Sequence, residues 1–364
     1  MNKVFTALLG TLLIGAVAYS IFIFASTNQP QSQHSKSEPR EVPTTSSPPH
    51  SIENQLGQLF MIGHWSDTPV ASTTALIEKY QLGGVVIMDA PENPETIFQW
   101  ITQWNAVSDT SLFIAIDQEG GPVTRLKGTQ FIQTGQQEIT TPKQAYTIGR
   151  TRGEELATLG INMNFAPVLD TAVNPTSFLY NRTFPENTPA ATLAASLISG
   201  MSKQNVMAVA KHFPGHADTS TDSHNELPVV HISQSELTAF TQPFAELISQ
   251  NPPTALMTAH VQFPQIDPLP ATLSSFFLTT YLREKLKFSG LIITDDMSMD
   301  AIDKHYSATE AAALALEAGA DILLLAAKPA DIEIIFPFLT ERATESPLLH
   351  TRITDSYQRI TRLK

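Results

Sequence analysis

Eight short apolar runs alternate with helical patterns from residue 58 onward, and this repetition restricts the fold more than any other feature of the chain. Short apolar runs bounded by Gly, Pro or polar residues are typical of buried strands, and strands separated by helices pair in parallel. The predicted strands are residues 59–62, 84–88, 112–116, 163–165, 206–210, 256–259, 291–294 and 322–325. Eight β-α units predict an α/β fold of the closed (β/α)8 TIM-barrel type, with a doubly wound open sheet as the alternative.

Helix start signals between the runs support this alternation. Thr141 and Thr188 each precede a proline, the arrangement of an N-cap threonine followed by proline at the first helical position. Residues 307–310 read Ser-Ala-Thr-Glu, the pattern of a capping box. The segments between the predicted strands are therefore expected to be helices.

The first 25 residues differ from the rest of the chain. Residues 4–25 carry no charge and are rich in Leu, Ile, Phe, Val and Ala. This length matches the roughly 20 residues that span a bilayer better than the shorter apolar core of a signal peptide, although Ala25-Ser26 offers a cleavage position. With Lys3 on the leading side, we expect residues 1–25 to be a signal anchor in the cell membrane and the remainder to lie outside the cytoplasm, or to be secreted if the segment is cleaved.

Residues 26–51 are rich in Ser, Pro, Thr and Gln and contain almost no large apolar residues. Such a composition cannot bury enough apolar surface to fold, so this segment is predicted to be a disordered linker. One catalytic barrel domain is then expected over residues 52–364, and we expect it to be a monomer.

Charge and cysteine content exclude several classes of function. The 364-residue chain has a formal net charge of −13, which argues against a nucleic-acid partner because Lys and Arg would have to neutralise phosphates. It has no cysteine, which excludes disulfides, thiolate nucleophiles and thiolate metal sites.

Titratable side chains are concentrated where the predicted strands end. Because the carboxyl ends of the strands of a parallel barrel all lie at one end, these side chains are expected to converge there. They are Asp117 after the third strand, Lys211 and His212 after the fifth, His260 after the sixth, and Asp295 and Asp296 after the seventh.

A carboxylate and a histidine at one barrel mouth permit double displacement at an acetal carbon. Asp295 directly follows a buried apolar run and is the better nucleophile candidate, with Asp296 expected to point elsewhere. His224 is a candidate acid/base because an unperturbed imidazole titrates near neutrality. Asp222, two residues earlier, is a candidate to orient His224.

Seven separated motifs then occur in order along residues 58–325. They are IDQEGG (116–121) followed by Arg125, NFAPVLD (164–170), NRTF (181–184), KHFPGH with DSH (211–224), MTAH (257–260), PATLS (270–274) and TDDMSM (294–299). Each is weak alone, but together they resemble the β-N-acetylhexosaminidases of glycoside hydrolase family 3, which remove N-acetylglucosamine during peptidoglycan turnover. The resemblance implies a retaining, exo-acting hydrolase of N-acetyl-β-D-glucosaminides from peptidoglycan, muropeptides or related glycans.

The resemblance also implies roles for individual residues, and no metal or organic cofactor. Asp295 corresponds to the nucleophile, His224 to the general acid/base and Asp222 to its partner. The contacts to the hydroxyls and N-acetyl group of the terminal sugar correspond to Asp117, Arg125, Arg182, Lys211 and His212.

The chain departs from the family's pattern at three positions. Ala217 and Pro185 stand where glycine is usual, and Pro122 where arginine is common. Alanine loses the conformational freedom of glycine, so Ala217 is expected to stiffen the loop or to shift Asp222 and His224.

Other interpretations stay open. Histidines and aspartates on a barrel can bind zinc in a metal-dependent hydrolase, although the first strand ends in Gly-His-Trp rather than His-x-His. The chain could instead be an inactive glycan-binding module, or a phosphorolytic or β-glucosidase-like member of the family. We interpret Glu119 and His216 as structural and His260 as supporting its neighbours.

Overall fold

The computed structural model describes residues 51–216 and 222–364. The predicted anchor, the linker up to residue 50, and Ala217 lie outside the described residues, so what was predicted for them stays a prediction. Among the described residues, no helix is both long enough and apolar enough to cross a membrane.

Eight parallel strands close into a barrel in which each strand pairs with its neighbours in sequence. The strands are β1 Phe60–His64, β2 Gly84–Ile87, β3 Phe113–Ile116, β4 Met163–Asn164, β5 Met207–Phe213, β6 Ala255–Thr258, β7 Leu291–Asp296 and β8 Ile322–Leu325. The barrel closes where Phe60 of β1 pairs with Leu323 of β8. The predicted (β/α)8 fold is therefore confirmed, and the open-sheet alternative is wrong.

Helices connect the strands around the outside of the barrel. They are α1 Ile52–Gly57, α2 Val70–Tyr80, α3 Glu95–Val107, α4 Pro142–Thr158, α5 Ala190–Ser202, α6 Leu237–Phe240, α7 Gln242–Gln250, α8 Asp300–Asp303, α9 Ala308–Ala318, α10 Ile332–Glu345 and α11 Pro347–Thr361. A π-helix, Phe276–Lys285, lies between β6 and β7. Two short hairpins, Gln118–Gly120 with Val123–Thr124 and Gln262–Phe263 with Asp267–Pro270, follow β3 and β6.

The helix caps agree with the sequence at two of three positions. The hydroxyl oxygens of Thr141 and Ser307 each accept a hydrogen bond from a backbone N–H in the first turn of the helix that follows. Thr188 is not a cap, because α5 begins one residue later than predicted, with Pro189 in the N-cap position. The Thr188 hydroxyl instead donates to the Pro185 carbonyl in the preceding turn, at 2.6 Å.

Helices α4 and α5 pack closely beside β4 and β5. A Cβ atom at Gly149 would lie 2.2 Å from the Leu197 carbonyl oxygen, and one at Gly200 would lie 2.4 Å from the Tyr146 carbonyl oxygen. Both contacts are shorter than van der Waals separation, so only glycine permits this approach of the two backbones. The close packing fixes both helices against β4 and β5, and β5 carries Lys211 and His212 of the barrel mouth.

Three strands extend beyond the carboxyl ends that the sequence predicted. β1 continues through His64. β5 continues through Phe213, so Lys211 and His212 lie inside the strand instead of after it. The backbone N–H of Lys211 donates to the Pro167 carbonyl at 2.9 Å, and a register shift against β6 accommodates the extension. β7 likewise includes Asp295. The apolar pattern ends earlier than the backbone pairing, which explains why the pattern placed these three strand ends too soon.

Candidate active site

A cavity of about 570 Å³ opens at the carboxyl ends of the barrel strands. Seven of the eight predicted site residues line it, and Asp222 lies beside one of them, His224. The seven are Asp117, Arg125, Arg182, Lys211, His212, His224 and Asp295. Residues from several strands and loops therefore meet at the barrel mouth, the position expected of a ligand site in this fold.

Lys211 lies between two carboxylates on the floor of this cavity. Its Nζ atom is 2.6 Å from Asp117 Oδ1 and 2.7 Å from Glu119 Oε1, and only 3% of its side chain is exposed. Burial alone would lower the pKa of the Lys211 ammonium, but the two carboxylates raise it above its usual value. Lys211 is therefore a fixed positive charge.

Glu119 also holds Arg182 through a two-pronged contact. Arg182 Nε donates to Oε2 at 3.0 Å, and Arg182 Nη2 donates to Oε1 at 2.8 Å. Burial opposes ionisation of Glu119, but Lys211 and Arg182 lower its pKa to about 2. We interpreted Glu119 from the sequence as structural, but the sequence did not indicate its contacts with Lys211 and Arg182. The signal was an acidic residue beside a buried strand, because a buried charge needs a partner.

The loop after β3 brings Arg125 to the same cavity. Gln118 Oε1 accepts hydrogen bonds from the backbone N–H groups of Arg125 and Leu126, at 3.0 and 2.9 Å. Arg125 Nη2 lies 3.6 Å from Asp117 Oδ2. Within the described residues, the buried Nε atom of Arg125 has no hydrogen-bond partner. Arg125 thus retains a donor for a ligand bound beside Asp117.

Asp170 orients the strand segment that carries His212. Its Oδ2 atom accepts from the Nδ1 atom of His212 at 2.6 Å and from the backbone N–H of His212 at 3.0 Å, and its Oδ1 atom accepts from the backbone N–H of His216 at 2.8 Å. Burial would raise the pKa of Asp170, but the two histidines hold it well below its usual range. Because Asp170 occupies Nδ1, Nε2 is the nitrogen of His212 available to a ligand.

Asp170 was not among the predicted site residues, although it ends the NFAPVLD motif. The signal was again an acid directly after an apolar run. His216 was interpreted as structural, yet it lines the cavity, and its buried Nδ1 atom has no hydrogen-bond partner among the described residues. Its ring packs edge-on against His212 and Phe178, and burial lowers its pKa to about 4.

Asp295 lies at the end of β7 and faces the cavity. Its Oδ1 atom accepts a hydrogen bond from the backbone N–H of Asp296 at 2.8 Å. Burial opposes ionisation, but the positive charges that His212 and His260 can carry, together with this hydrogen bond, lower the pKa of Asp295 to about 2. The carboxylate is ionised at neutral pH, the state that a nucleophile requires.

Asp296 points away from Asp295, as its place in the strand predicted. Its carboxylate accepts hydrogen bonds from the backbone N–H groups of Ala326 and Ala327, at 2.9 and 3.0 Å, and of Ser298 at 3.0 Å. Asp296 therefore ties the end of β7 to the segment that follows β8. Neither aspartate caps the helix that follows, because α8 begins at Asp300 with Met299 in the N-cap position.

His260 supports the same turn from β6. Its Nε2 atom donates to the Asp296 carbonyl at 3.0 Å, and its Nδ1 atom lies 2.8 Å from Thr272 Oγ1. Thr272 in turn lies 2.7 Å from Thr258 Oγ1. The MTAH and PATLS motifs thus form one hydrogen-bonded unit beneath the end of β7.

His224 and Asp222 form a pair on an exposed loop. His224 Nδ1 lies 2.7 Å from Asp222 Oδ1, and the backbone N–H of His224 donates to the same oxygen at 3.0 Å. The His224 side chain is 64% exposed, whereas Asp222 is 33% exposed. Partial burial alone would raise the pKa of Asp222, but the hydrogen bonds from His224 lower it below its usual value. An ionised Asp222 leaves His224 Nε2 directed to other partners.

Among residues 51–216 and 222–364, no three His, Asp or Glu side chains are grouped so that they could hold a metal ion. The described residues therefore offer no ligand set for a metal-dependent hydrolase. His64, which ends β1, is buried and lies outside the cavity lining. Its Nδ1 atom is 2.8 Å from Thr73 Oγ1, and its ring packs edge-on against Trp100 and Trp104.

The mouth of a closed (β/α)8 barrel thus holds a buried carboxylate, several charged side chains and a loop histidine, the arrangement that the sequence motifs predicted. Comparison with known proteins identifies the family. Residues 51–363 match the glycosyl hydrolase family 3 N terminal domain, and the chain belongs to that family. The resemblance seen in the sequence motifs is thereby confirmed.

Curated relatives are named beta-hexosaminidases. Beta-hexosaminidase A of Pseudoalteromonas piscicida is 35% identical over 329 residues, covering 79% of this chain and 54% of that protein. The chain thus spans about half the length of that relative. Beta-hexosaminidase of Hydrogenovibrio crunogenus is 32% identical over 319 residues, covering 83% of this chain and 88% of that protein.

Solved structures share the barrel. A glycoside hydrolase family 3 beta-N-acetylglucosaminidase from Paenibacillus sp. has a TM-score of 0.79 and 33% identity, covering 86% of this chain and 62% of that one. A beta-N-acetylhexosaminidase from Beutenbergia cavernae has a TM-score of 0.77 and 28% identity, covering 86% of this chain and 98% of that one.

Proposed function

We propose that this protein is a retaining, exo-acting β-N-acetylhexosaminidase that hydrolyses terminal non-reducing N-acetyl-β-D-glucosaminides. One observation carries the proposal: an ionised, buried Asp295 shares a cavity with a histidine that is already paired to a carboxylate. The relatives named beta-hexosaminidases support the same class of substrate.

In the first step, the Asp295 carboxylate attacks the anomeric carbon and the glycosidic C–O bond breaks. His224 donates the proton of Nε2 to the departing oxygen, while Asp222 accepts from Nδ1 and stabilises the imidazolium. The electron pair of the broken bond stays on the leaving oxygen, which takes the proton. The product is a glycosyl ester on Asp295.

In the second step, His224 removes a proton from water, and the water oxygen attacks the anomeric carbon. The ester bond breaks and the Asp295 carboxylate is released. Two inversions give net retention of configuration. Lys211, Arg125 and His212 bind the terminal sugar and hold its anomeric carbon beside Asp295 through both steps.

We propose peptidoglycan fragments as the natural substrate. The predicted membrane anchor supports this, because it would put the barrel outside the cytoplasm beside the cell wall. Rates on defined muropeptides and on chitobiose, compared under the same conditions, test the substrate. Fractionation of cells, with and without an alkaline wash, tests the anchor.

Trapping of the glycosyl ester tests the mechanism. In His224→Ala, a dinitrophenyl N-acetyl-β-glucosaminide should still glycosylate Asp295, because this leaving group needs no proton, whereas attack by water lacks its base. Mass spectrometry of acid-quenched enzyme should then find one N-acetylhexosaminyl group on the peptide containing Asp295. Asp295→Ala is the control and should give no adduct. An adduct elsewhere, or wild-type turnover by Asp295→Ala, would overturn the proposal.

Phosphorolysis is a second candidate, favoured by the identity of the acid/base. A histidine repels an incoming phosphate less than a carboxylate would. Incubation with substrate in the presence and absence of phosphate distinguishes the two reactions, since hydrolysis gives the free sugar and phosphorolysis gives the sugar 1-phosphate.

A further inference from the structure

Trp65 is an aromatic side chain at the cavity that the proposed mechanism does not use. It follows β1 directly and is 37% exposed, whereas Trp100 and Trp104 are 7% and 0% exposed. It lines the same cavity as Asp295. Its place in the lining puts an aromatic face where a ligand in the cavity can contact it.

The indole is held in place by backbone groups. Trp65 Nε1 donates to the Ala326 carbonyl at 3.4 Å. A Cβ atom at Gly63 would lie 2.0 Å from that same carbonyl oxygen, so the ends of β1 and β8 approach each other closely. The backbone N–H of Ala326 donates to Asp296, whose own backbone N–H contacts Asp295. Three hydrogen bonds in series, through Ala326 and Asp296, therefore connect the indole to the candidate nucleophile.

The barrel order places Trp65 away from the charged sugar contacts. Those contacts come from β3, β5 and the loops after β3 and β4. Trp65, Leu324, Ala326 and Ala327 come from β1 and from β8 with the segment after it, and β8 is the neighbour of β7, which carries Asp295. Trp65 therefore lies on the β1–β8 side of the cavity, from which none of those sugar contacts comes and which adjoins the strand that carries Asp295.

We propose that Trp65 is the platform of a subsite for the departing part of the substrate, and that this part is itself a pyranose sugar. This inference rests on the proposed hydrolase function. A pyranose presents an apolar C–H face that stacks on an aromatic ring. Leu324, Ala326 and Ala327 line the cavity together with Trp65, and the nearby Asp296 carboxylate is occupied by the backbone N–H groups of Ala326 and Ala327. The subsite therefore selects glycosides in which a second sugar ring follows the terminal N-acetylglucosamine.

Two substrates distinguish an effect on the subsite from an effect on the chemical step. Chitobiose has a second sugar ring, whereas N-acetyl-β-glucosaminyl fluoride has none. Trp65→Ala should lower kcat/KM for chitobiose about tenfold, because one stacking contact and its buried area are lost. The kcat/KM for the fluoride should stay within about twofold of the wild-type value. Trp65→Phe keeps an aromatic face and should recover most of the chitobiose activity. Phe98→Ala, at an exposed aromatic on α3 outside the cavity lining, should alter neither.

An equal fall in kcat/KM for both substrates would mean that Trp65 acts on the whole site, and it would overturn the proposed subsite. Unchanged chitobiose hydrolysis by Trp65→Ala would overturn it as well. If the wild-type protein hydrolyses neither substrate, the proposed function fails and the subsite with it. Fluoride hydrolysis by the wild type therefore distinguishes a failure of the subsite alone from a failure of the function.

Discussion

The Nζ atom of Lys211 lies 2.7 Å from Glu119 Oε1, and both side chains are almost fully buried. The same carboxylate makes two hydrogen bonds with Arg182. One residue that the sequence presented as part of a glycine turn thus joins two of the predicted sugar contacts. Glu119 holds them by charge, because both cations are buried and water cannot solvate them in place of the carboxylate.

Replacing Glu119 with glutamine tests this arrangement. Glu119→Gln keeps the shape but removes the charge shared by Lys211 and Arg182, so we expect a stability loss of about 3 kcal/mol and a rise in KM larger than the fall in kcat. Urea unfolding and steady-state kinetics on an aryl N-acetyl-β-glucosaminide measure the two effects. Glu154→Gln, at an exposed acid on α4, is the control and should change neither. Wild-type KM in Glu119→Gln would contradict the positioning role.

Asp170 acts on His212 in a comparable way. Asp170→Asn removes the negative charge that fixes Nδ1 of His212 and the backbone of His216. We expect kcat/KM to fall at least about tenfold and stability to fall by about 2 kcal/mol, the cost of weakened buried hydrogen bonds to a charged group. Kinetics at a temperature well below the unfolding transition separate the two effects. If Asp170→Asn loses stability but keeps full kcat/KM, the orientation of His212 is not the role of Asp170.

Periodicity located all eight strands because burial on both faces leaves a continuous apolar run. It failed at the ends of β1, β5 and β7, where the strands continue through His64, Lys211 and Asp295. Polar residues inside a strand look like loop residues until their partners are known. For Lys211 the partners are Asp117 and Glu119, which a sequence pattern does not pair with it.

The candidate site could be predicted from motifs and strand-end placement, but its supporting contacts could not. Asp117, Lys211, His212 and Asp295 were identified by their place after predicted strands and by the family resemblance. Arg125 and Arg182 were identified through the resemblance alone, and His224 through its residue type and the resemblance. Asp170 and Glu119 act through other side chains, so their contribution depends on distances that only the fold determines. Thr188 failed as a cap for a similar reason, since its hydroxyl had a competing acceptor in the preceding turn.

The low pKa values of the buried carboxylates predict loss of stability in acid. The pKa of Glu119 is about 2 in the folded protein against an ordinary value of 4.5, so its stabilisation is complete above pH 4.5 and is lost as the pH falls toward 2. This one group should contribute about 2 kcal/mol of the stability lost between pH 6 and pH 3. Urea unfolding at both pH values measures it. Glu119→Gln should lose less stability over that interval, and an identical loss in the variant would contradict the assignment.

Asp222 should matter most for substrates whose leaving group needs a proton. Asp222→Asn weakens the stabilisation of the His224 imidazolium. We therefore expect kcat/KM to fall about 100-fold for chitobiose, which is within the range that general acid catalysis contributes. The fall in kcat/KM should be far smaller for a dinitrophenyl glycoside. A plot of log kcat/KM against leaving-group pKa should steepen in this variant, because the departing oxygen must carry more negative charge. Asp300→Asn alters another acid that lines the cavity, paired with Lys304, and should leave the slope unchanged. An equal fall for good and poor leaving groups would instead mean that Asp222 supports the loop and takes no part in proton transfer, since only proton transfer distinguishes the two classes of substrate.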